Sequence, residues 1–257
     1  MPPLPPSPRW RASACRRGRS ARSCRRVLNA CTSPDFAVFD VVVLASGRGS
    51  NFAALLGAQQ RGELPIRIHA LLSDKFAAPA LDIARAAGIA AIAVTPRDFP
   101  DRAAFDRALF AQAALLQPDL IVLAGYMRMI DAAVVQAWAG KIINIHPSLL
   151  PKYPGLRTHQ RALDAGDAVH GASVHFVTAQ LDGGPVFAQA RMPILAGDTA
   201  DTLAARLLPL EHRLLAASVG LIARGRIARD GDGVTLDGVR LDAPLQLQDD
   251  ATLRAVG

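Results

Sequence analysis

Two polar side chains interrupt an apolar segment in the middle of the chain, KIINIHPSLLPKYPG at 141–155. Asn144 and His146 are two residues apart, so on a β-strand they project from the same face. Pro147 favours an extended backbone at His146 and keeps the two side chains aligned. An amide donor beside an imidazole can stabilise an oxyanion and move a proton. The pattern predicts a catalytic pair at a strand end; the alternative is a hydrogen-bonded core pair that caps the next loop.

An aspartate further along the chain is the candidate partner of this pair. Asp182 precedes two glycines in the segment QLDGGPV at 180–186. An Asp-Gly hairpin turn explains the same residues without any catalytic role. If Asp182 lies beside His146, its carboxylate is expected to raise the pKa of the imidazole and to orient the ring. His175, which no acidic pair accompanies in the sequence, is interpreted as structural.

A glycine-rich turn offers a different kind of site. The segment SGRGSN at 46–51 follows an apolar strand-like run and opens a helix-like one, and backbone N–H groups in such a turn bind anions. A dinucleotide fingerprint would need a glycine at Phe52 and an acid about 20 residues further on, where Asp74 is the only candidate. The turn therefore suits a single phosphate. The alternative is a tight turn in which Ser50 or Asn51 caps the helix.

The elements that must position these residues alternate along the chain. Apolar strand-like runs separated by helix-like segments predict an α/β fold with a Rossmann-like, mostly parallel sheet covered by helices. Two later strands, at 171–178 and 185–193, predict an antiparallel addition in the C-terminal part, followed by a helix at 200–223. The last thirty or so residues predict a small hairpin and a fraying tail. The earlier strand-like runs lie at 39–46, 66–73, 89–94, 119–125 and 141–146.

Charge and cysteine content divide the chain near residue 37. The net charge is +7, but the first 34 residues hold eight arginines and no acid, so the remainder is close to neutral. All three cysteines, Cys15, Cys24 and Cys31, lie in the same N-terminal segment, which excludes a cysteine nucleophile or cysteine metal ligands elsewhere. We predict a basic, disordered N-terminal extension at 1–37 and one catalytic domain at 38–257. A transit peptide or a start site assigned too far upstream are the alternatives.

The same composition limits the expected partners. No apolar run reaches the ~18 residues that span a membrane, and no set of His and acidic residues has metal-ligand spacing. We therefore expect small-molecule substrates, no membrane, no metal and no nucleic acid bound to the body of the protein. A nucleic-acid role stays open for the basic segment alone. The expected setting is the cytoplasm, with the protein as a monomer or weak homodimer.

Four motifs together resemble one enzyme family. VVLASGRGSN, IVLAGYMRMI, INIHPSLLPKYPG and HGASVHFVTAQLDGGPV occur in register between about residues 40 and 241, and they are similar to the phosphoribosylglycinamide formyltransferases. The resemblance implies the formyltransferase fold. It also implies transfer of a formyl group from 10-formyltetrahydrofolate, used as a co-substrate without a metal, to the amine of 5-phosphoribosylglycinamide in de novo purine biosynthesis.

The resemblance further implies roles for individual residues. Asn144, His146 and Asp182 fall on the catalytic positions. Leu208 and Pro209 depart from the family pattern and are expected to break the long helix, and Ala179 and Gln180 replace a usually acidic stretch. The ribonucleotide site would comprise Gly49, Ser50, Asn51 and Glu211. The folate site would comprise Asn144 with Arg102, Met127, Arg128, Met129, Ile130, Ala179, Gln180 and Leu181.

Four other enzymes are alternatives on the sequence alone. A sister formyltransferase acting on initiator methionyl-tRNA would need an RNA-binding domain after the long helix, where about thirty residues remain. A formyltetrahydrofolate hydrolase would need an N-terminal regulatory domain. A nicotinamide-dependent oxidoreductase conflicts with Phe52 in the glycine turn. A serine hydrolase using Ser148 with His146 lacks a nucleophile elbow.

Overall fold

Residues 38–255 are described by a computed structural model, and the predicted N-terminal extension lies outside these residues. The strands are β1 (Phe39–Leu44), β2 (Ile66–Ser73), β3 (Ala90–Ala93), β4 (Leu120–Leu123), β5 (Ile142–His146), β6 (Val169–Phe176), β7 (Val186–Pro193), β8 (Ile227–Asp230), β9 (Gly233–Leu236), β10 (Val239–Arg240), β11 (Leu245–Leu247) and β12 (Leu253–Arg254). The helices are α1 (Ser50–Gln60), α2 (Pro79–Ala86), α3 (Arg102–Leu115), α4 (Ala132–Ala137), α5 (Thr158–Asp164) and α6 (Ala200–Ala223).

A nine-stranded sheet with the order β12-β11-β7-β6-β5-β4-β1-β2-β3 organises this part of the chain. β1 pairs in parallel with both β2 and β4, and β4 pairs in parallel with β5. The chain runs outward from β1 to β3 and then returns to β4 on the other side of β1. The strand order therefore reverses between β1 and β4, which opens a crevice at the carboxyl ends of these strands. The predicted Rossmann-like parallel sheet is confirmed.

Two apolar clusters cover the two faces of the sheet, and β1 shows why its sequence is apolar throughout. Val41 and Val43 face one cluster, whereas Val42 and Leu44 face the other, and all four are fully buried. A strand covered on both sides needs an apolar residue at every position. Helices α1, α2 and α6 pack on the first face, while α3 and α4 pack on the second.

The C-terminal part differs from the sequence prediction in two places. β6 and β7 form the predicted antiparallel pair, and the predicted hairpin is present as β8 and β9, but the residues after it are not a fraying tail. β8, β9 and β10 form a separate antiparallel sheet, and β11 pairs in parallel with β7 because Leu245 is fully buried in the core. The expected break at Pro209 is also wrong, since α6 continues through it. Leu207 and Leu214 are fully buried on either side, and their packing outweighs the loss of one helical hydrogen bond.

Among residues 38–255, no helix combines the length and the apolar character that crossing a bilayer requires.

Candidate active site

The carboxyl end of β5 holds the first group of polar side chains. Asn144 and His146 project toward the same cavity, as the two-residue period of a strand requires. The imidazole of His146 is buried, and its Nε2 donates to the carbonyl oxygen of Tyr153 over 2.9 Å. Its Nδ1 lies 3.4 Å from Oδ2 of Asp182. Both ring nitrogens therefore face acceptors, an arrangement that suits the doubly protonated ring.

Asp182 reaches this cluster because of the turn that follows β6. Its backbone has φ 46°, a left-handed conformation that aspartate tolerates better than most residues. Two residues on, a Cβ at Gly184 would lie 1.8 Å from the carbonyl oxygen of Phe176, so only glycine fits there. The turn aims the carboxylate at the loop after β5, where it accepts the Gly155 N–H over 2.8 Å and faces Asn144 Nδ2 at 3.4 Å.

His175 is a member of this cluster that the sequence interpretation missed. It lies opposite Asn144 in the pairing of β5 with β6, and its Nε2 is 3.2 Å from Asn144 Nδ2 and 3.6 Å from Asp182 Oδ1. Its Nδ1 donates to the Phe176 carbonyl oxygen, so in the neutral ring Nε2 accepts from the Asn144 amide. A structural role for His175 stays a prediction, but the sequence did not predict its position beside Asp182. The cross-strand register that brings it here is invisible in the spacing of single residues.

Burial reverses the expected electrostatics of His146. Desolvation of the ring lowers the pKa of His146, although the Tyr153 carbonyl and the Asp182 carboxylate act in the opposite direction. The Asp182 carboxylate thus acts on the His146 pKa in the expected direction, but burial outweighs it and the net shift is downward. Burial alone would raise the pKa of Asp182, but the nearby His175 ring and the hydrogen bond from the Gly155 N–H hold it below its usual value. The cluster thus pairs an ionised carboxylate with a ring that protonates reluctantly.

A cavity of about 450 Å³ contains this cluster and has mostly apolar walls. The segment after β4 forms one wall and includes Met127, Arg128, Met129 and Ile130, all four predicted for the folate site. The loop of Ala179, Gln180 and Leu181 forms another wall. Arg102 is exposed at the start of α3 and does not line this cavity, in contrast with the other predicted folate residues.

The glycine turn after β1 forms a separate candidate anion site. Gly49 precedes α1 with φ 77°, no side chain caps the helix, and its first turn contains no acid. The first N–H groups of α1 are thus available to an anion, and Ser50 and Asn51 do not cap the helix as the alternative supposed. A Cβ at Gly49 would lie 2.6 Å from that of Ala80, so the close approach of α2 also requires glycine.

Glu211 joins the turn from α6. The Asn51 side-chain amide donates to the Glu211 carboxylate over 3.1 Å, so the structure brings together these two residues, which the resemblance assigns to the ribonucleotide. Burial raises the pKa of Glu211, and the Asn51 hydrogen bond opposes that shift. Within the described residues only Oε2 of Glu211 accepts a hydrogen bond, so Oε1 could accept a donor from a ligand.

Two hydrogen bonds connect the anion site with the cavity. The Ser46 N–H donates to the Gly125 carbonyl oxygen over 3.0 Å, and the Met127 N–H donates to the Ser46 hydroxyl oxygen over 2.9 Å. The exit of β1 is therefore tied to the wall that follows β4. An anion site and an apolar cavity with a polar cluster lie at neighbouring strand ends, which suits a ligand pair with one phosphorylated and one largely apolar member.

Ser148 is not arranged as a nucleophile. Its side chain is fully buried, and its hydroxyl donates to the Lys152 carbonyl oxygen over 2.6 Å. The hydroxyl therefore shapes the loop after β5, and the serine hydrolase alternative is contradicted.

The fold and the site define the class of protein. A mostly parallel sheet, whose strand order reverses between β1 and β4, carries a glycine turn at β1 and an Asn-His-Asp cluster at β5. Residues 39–219 match the model of the formyl transferase family. The chain belongs to this family.

The relatives narrow the class to one branch, the phosphoribosylglycinamide formyltransferases. The enzyme of that name from Escherichia coli (strain K12) is 45% identical over 202 residues, covering 79% of this chain and 95% of the relative. A solved phosphoribosylglycinamide formyltransferase from Coxiella burnetii is 44% identical with a TM-score of 0.76, covering 79% and 95% of the two chains. A formyltetrahydrofolate deformylase from Pseudomonas syringae has a TM-score of 0.72 at 24% identity and shares the fold alone.

Proposed function

We propose that this transferase moves the formyl group of 10-formyltetrahydrofolate to the amine of 5-phosphoribosylglycinamide. The products are formylglycinamide ribonucleotide and tetrahydrofolate, in de novo purine biosynthesis. The observation that carries the proposal is the cluster of Asn144, His146 and Asp182 in an apolar cavity beside an anion-binding turn. The names of the relatives supply the two substrates.

The two substrates have complementary subsites in this proposal. The ribonucleotide phosphate binds the N–H groups at Gly49, Ser50 and Asn51, and Glu211 accepts hydroxyl groups of the ribose. The folate occupies the apolar cavity between the segment at 127–130 and the loop at 179–181. Arg102 is exposed at the start of α3, so its assignment to the folate site requires a part of the folate to extend beyond the cavity.

The chemical step needs no protein nucleophile. The substrate amine attacks the formyl carbon, the new C–N bond forms, and the carbonyl oxygen becomes an oxyanion. Asn144 donates to this oxyanion, and a preorganised donor of this kind lowers a barrier by about 3 kcal/mol. When the bond to folate N10 breaks, N10 receives a proton and the former amine loses one.

His146 supplies the proton in this scheme. Burial disfavours the imidazolium before substrates bind, but the oxyanion adds a negative charge beside the ring and joins Asp182 in stabilising it. The Nδ1–Asp182 separation of 3.4 Å is long for a charge-assisted hydrogen bond. The ring can therefore exchange this contact for one with the substrate, while the hydrogen bond from Nε2 to the Tyr153 carbonyl oxygen keeps it oriented.

A formyl-transfer assay with substrate omission tests the proposal. Tetrahydrofolate release is followed by absorbance, and formylglycinamide ribonucleotide is quantified by mass spectrometry. We expect the two products in equal amounts, and neither when one substrate is omitted. Formate released without the ribonucleotide would instead identify a hydrolase.

The proposal extends to the setting of the reaction. The enzyme acts in the cytoplasm on small molecules, as a monomer or weak homodimer, and without a metal. Addition of EDTA should leave turnover unchanged, and sedimentation at micromolar concentration should give the mass of one chain or a concentration-dependent mixture with its dimer.

A further inference from the structure

A row of polar side chains crosses β5, β6 and β7 at one level of the sheet. His146 lies opposite Ser173, and Ser173 lies opposite Gln189. Residues that face each other in an antiparallel pair project from the same face, so all three side chains lie on the side that the loop at 147–157 covers. Ser173 is fully buried and Gln189 is 7% exposed, yet neither lines the cavity of His146. The proposed reaction therefore gives Ser173 and Gln189 no direct role.

The Ser173 hydroxyl connects β6 with this loop. It donates to the Ser148 carbonyl oxygen over 2.7 Å and accepts the Leu150 N–H over 3.0 Å. It also accepts a hydrogen bond from Nε2 of Gln189 over 3.0 Å. A hydroxyl has one proton to donate and two lone pairs that accept, so every hydrogen-bonding position of Ser173 is occupied. The hydroxyl therefore holds β6, β7 and the loop together.

The Gln189 amide completes the attachment of the loop. Its Nε2 also donates to the Leu150 carbonyl oxygen over 3.0 Å, so both protons of the amide are used. The backbone of Leu150 is thus held on both sides, its N–H by Ser173 and its C=O by Gln189. A buried carbonyl that loses its donor raises the free energy of the folded state. Removal of the amide should therefore let the loop move away from β7.

The same loop carries the acceptor that holds the catalytic ring. The Ser148 hydroxyl donates to the Lys152 carbonyl oxygen over 2.6 Å, and the Lys152 N–H donates to the Leu149 carbonyl oxygen over 3.0 Å. The next residue is Tyr153, whose backbone has φ 57° and whose carbonyl oxygen accepts Nε2–H of His146 over 2.9 Å. The direction of this carbonyl therefore depends on where the loop is fixed three residues earlier.

We propose that Gln189 is a positioning residue for His146. Together with Ser173 it fixes Leu150, and through the loop it fixes the Tyr153 carbonyl oxygen that orients the imidazole. Gln189 acts from β7, a strand that contributes no residue to the cavity, and it does not touch the substrates. This inference rests on the proposed formyl transfer, and it adds a distant residue that the reaction needs.

The kinetics of Gln189→Met test the inference against a matched control. Methionine has a similar length but no amide protons, so kcat should fall about tenfold while the KM for the ribonucleotide stays within about threefold, since small misplacements of a catalytic group are costly. Gln59→Met is the control, because Oε1 of Gln59 accepts the Ile68 N–H over 3.0 Å on the other side of the sheet from α3. It also loses a bond between a glutamine and the backbone, and its kcat should match wild type.

The protonation of His146 is a second readout, which a loss of stability alone would not move. The Tyr153 carbonyl raises the pKa of His146, so its displacement in Gln189→Met should lower the titration midpoint of the ring, measured by ¹⁵N NMR of the imidazole. Gln59→Met should leave the midpoint unchanged. The other titratable or charged groups around the ring are the same in both variants, namely Asp182, His175, Arg161, His159 and His170.

Ser173→Ala keeps the inference testable if Gln189→Met does not fold. It removes one hydroxyl from the middle of the row and should likewise lower kcat and the His146 midpoint. A wild-type enzyme without formyl transfer would count against the proposed function, while the midpoints would still test the role of Gln189. Folded Gln189→Met with the kcat and the midpoint of wild type, or equal losses of kcat in Gln189→Met and Gln59→Met, would overturn the inference.

Discussion

The ends of β1 and β5 lie on either side of β4 and build their sites from different atoms. At β1 the anion site consists of backbone N–H groups, and Gly49 matters for the space and the backbone conformation that it permits. At β5 the working atoms belong to the side chains of Asn144, His146 and Asp182. The site at β1 thus depends on the shape of the backbone, whereas the site at β5 depends on the chemistry of its side chains. Substitutions in the two regions should therefore change different kinetic constants.

The two regions also differ in how their polar groups are satisfied before substrates bind. The first N–H groups of α1 have no side-chain cap. In the β5 region the protein supplies the partners itself, since His146 lies between Tyr153 and Asp182, and Asn144 faces His175 and Asp182. The anion site is open to a ligand, whereas the catalytic cluster must exchange internal contacts for substrate contacts.

Removal of the proposed oxyanion donor, Asn144, should cause the largest loss of kcat. Asn144→Ala is expected to lower kcat by about 10² to 10³-fold, the effect seen when a preorganised donor is lost. The KM for the ribonucleotide should stay within about threefold, because the anion site is untouched. Steady-state kinetics with both substrates varied would measure the two constants. A rise in KM with an unchanged kcat would instead assign Asn144 to substrate binding. It would contradict the proposed division between binding at the end of β1 and chemistry at the end of β5.

Neutralising the carboxylate of Asp182 should cause a smaller loss of kcat and should shift the pH dependence of kcat. Asp182→Asn keeps a residue that tolerates the left-handed backbone, so the fold should persist. The pKa of His146, already lowered by burial, should fall further without this negative charge. The protonated ring would then be lost at lower pH, so kcat should drop about 10 to 100-fold at pH 7.5 and the alkaline limb of the profile should move to lower pH. A profile identical to wild type contradicts this role.

Gly49→Ala tests the shape-dependent region with a matched control. The added Cβ would lie 2.6 Å from Ala80 Cβ, and φ 77° disfavours alanine, so we expect the KM for the ribonucleotide to rise about tenfold with kcat within about threefold. Gly47→Ala in the same turn is the control, because its Cβ would meet no atom within 4 Å and its φ is not positive. Equal effects of the two substitutions would show that the close approach at Gly49 is unimportant.

The smallest expected effect is on the unfolding free energy of the protein and concerns Glu211, which lies beside the glycine turn. Glu211 has a pKa raised by burial, so the folded protein holds this proton more tightly than the unfolded chain does. Its contribution to stability is therefore present at low pH and is lost as pH rises through the folded-state pKa. Glu211→Gln removes that loss, and the variant should gain on the order of 1 kcal/mol over wild type at pH 8 but not at pH 4. Urea unfolding of the variant and the wild type at both pH values measures this gain. An equal difference in unfolding free energy at pH 4 and pH 8 would contradict the raised pKa of Glu211.

The sequence predicted those parts of the molecule that depend on local pattern. Apolar strands covered on both faces, the glycine turn and the shared face of Asn144 and His146 all follow from residue type and short-range period. The position of His175 beside Asn144 was not predicted, because it depends on how β6 aligns with β5. The hydrogen bond to the Tyr153 carbonyl oxygen was not predicted either, because the direction of this carbonyl depends on the left-handed backbone of Tyr153, which has φ 57°.

Burial explains the remaining differences. The sign of the His146 pKa shift depends on how completely the ring is desolvated, a property of the whole fold that two neighbouring residues do not reveal. The strands β11 and β12 are short, and their place at the sheet edge depends on the burial of Leu245 against β7. Local pattern thus indicated the candidate residues, while tertiary packing determined their partners and their electrostatic environment.

The kinetics of His146→Ala test the central claim, that the end of β5 carries the chemistry and the end of β1 carries ribonucleotide binding. We predict that kcat for formyl transfer falls at least 100-fold, while the KM for 5-phosphoribosylglycinamide stays within about threefold and the melting temperature shows a folded protein. A folded variant with near-normal kcat, or one that loses only ribonucleotide affinity, would contradict the claim.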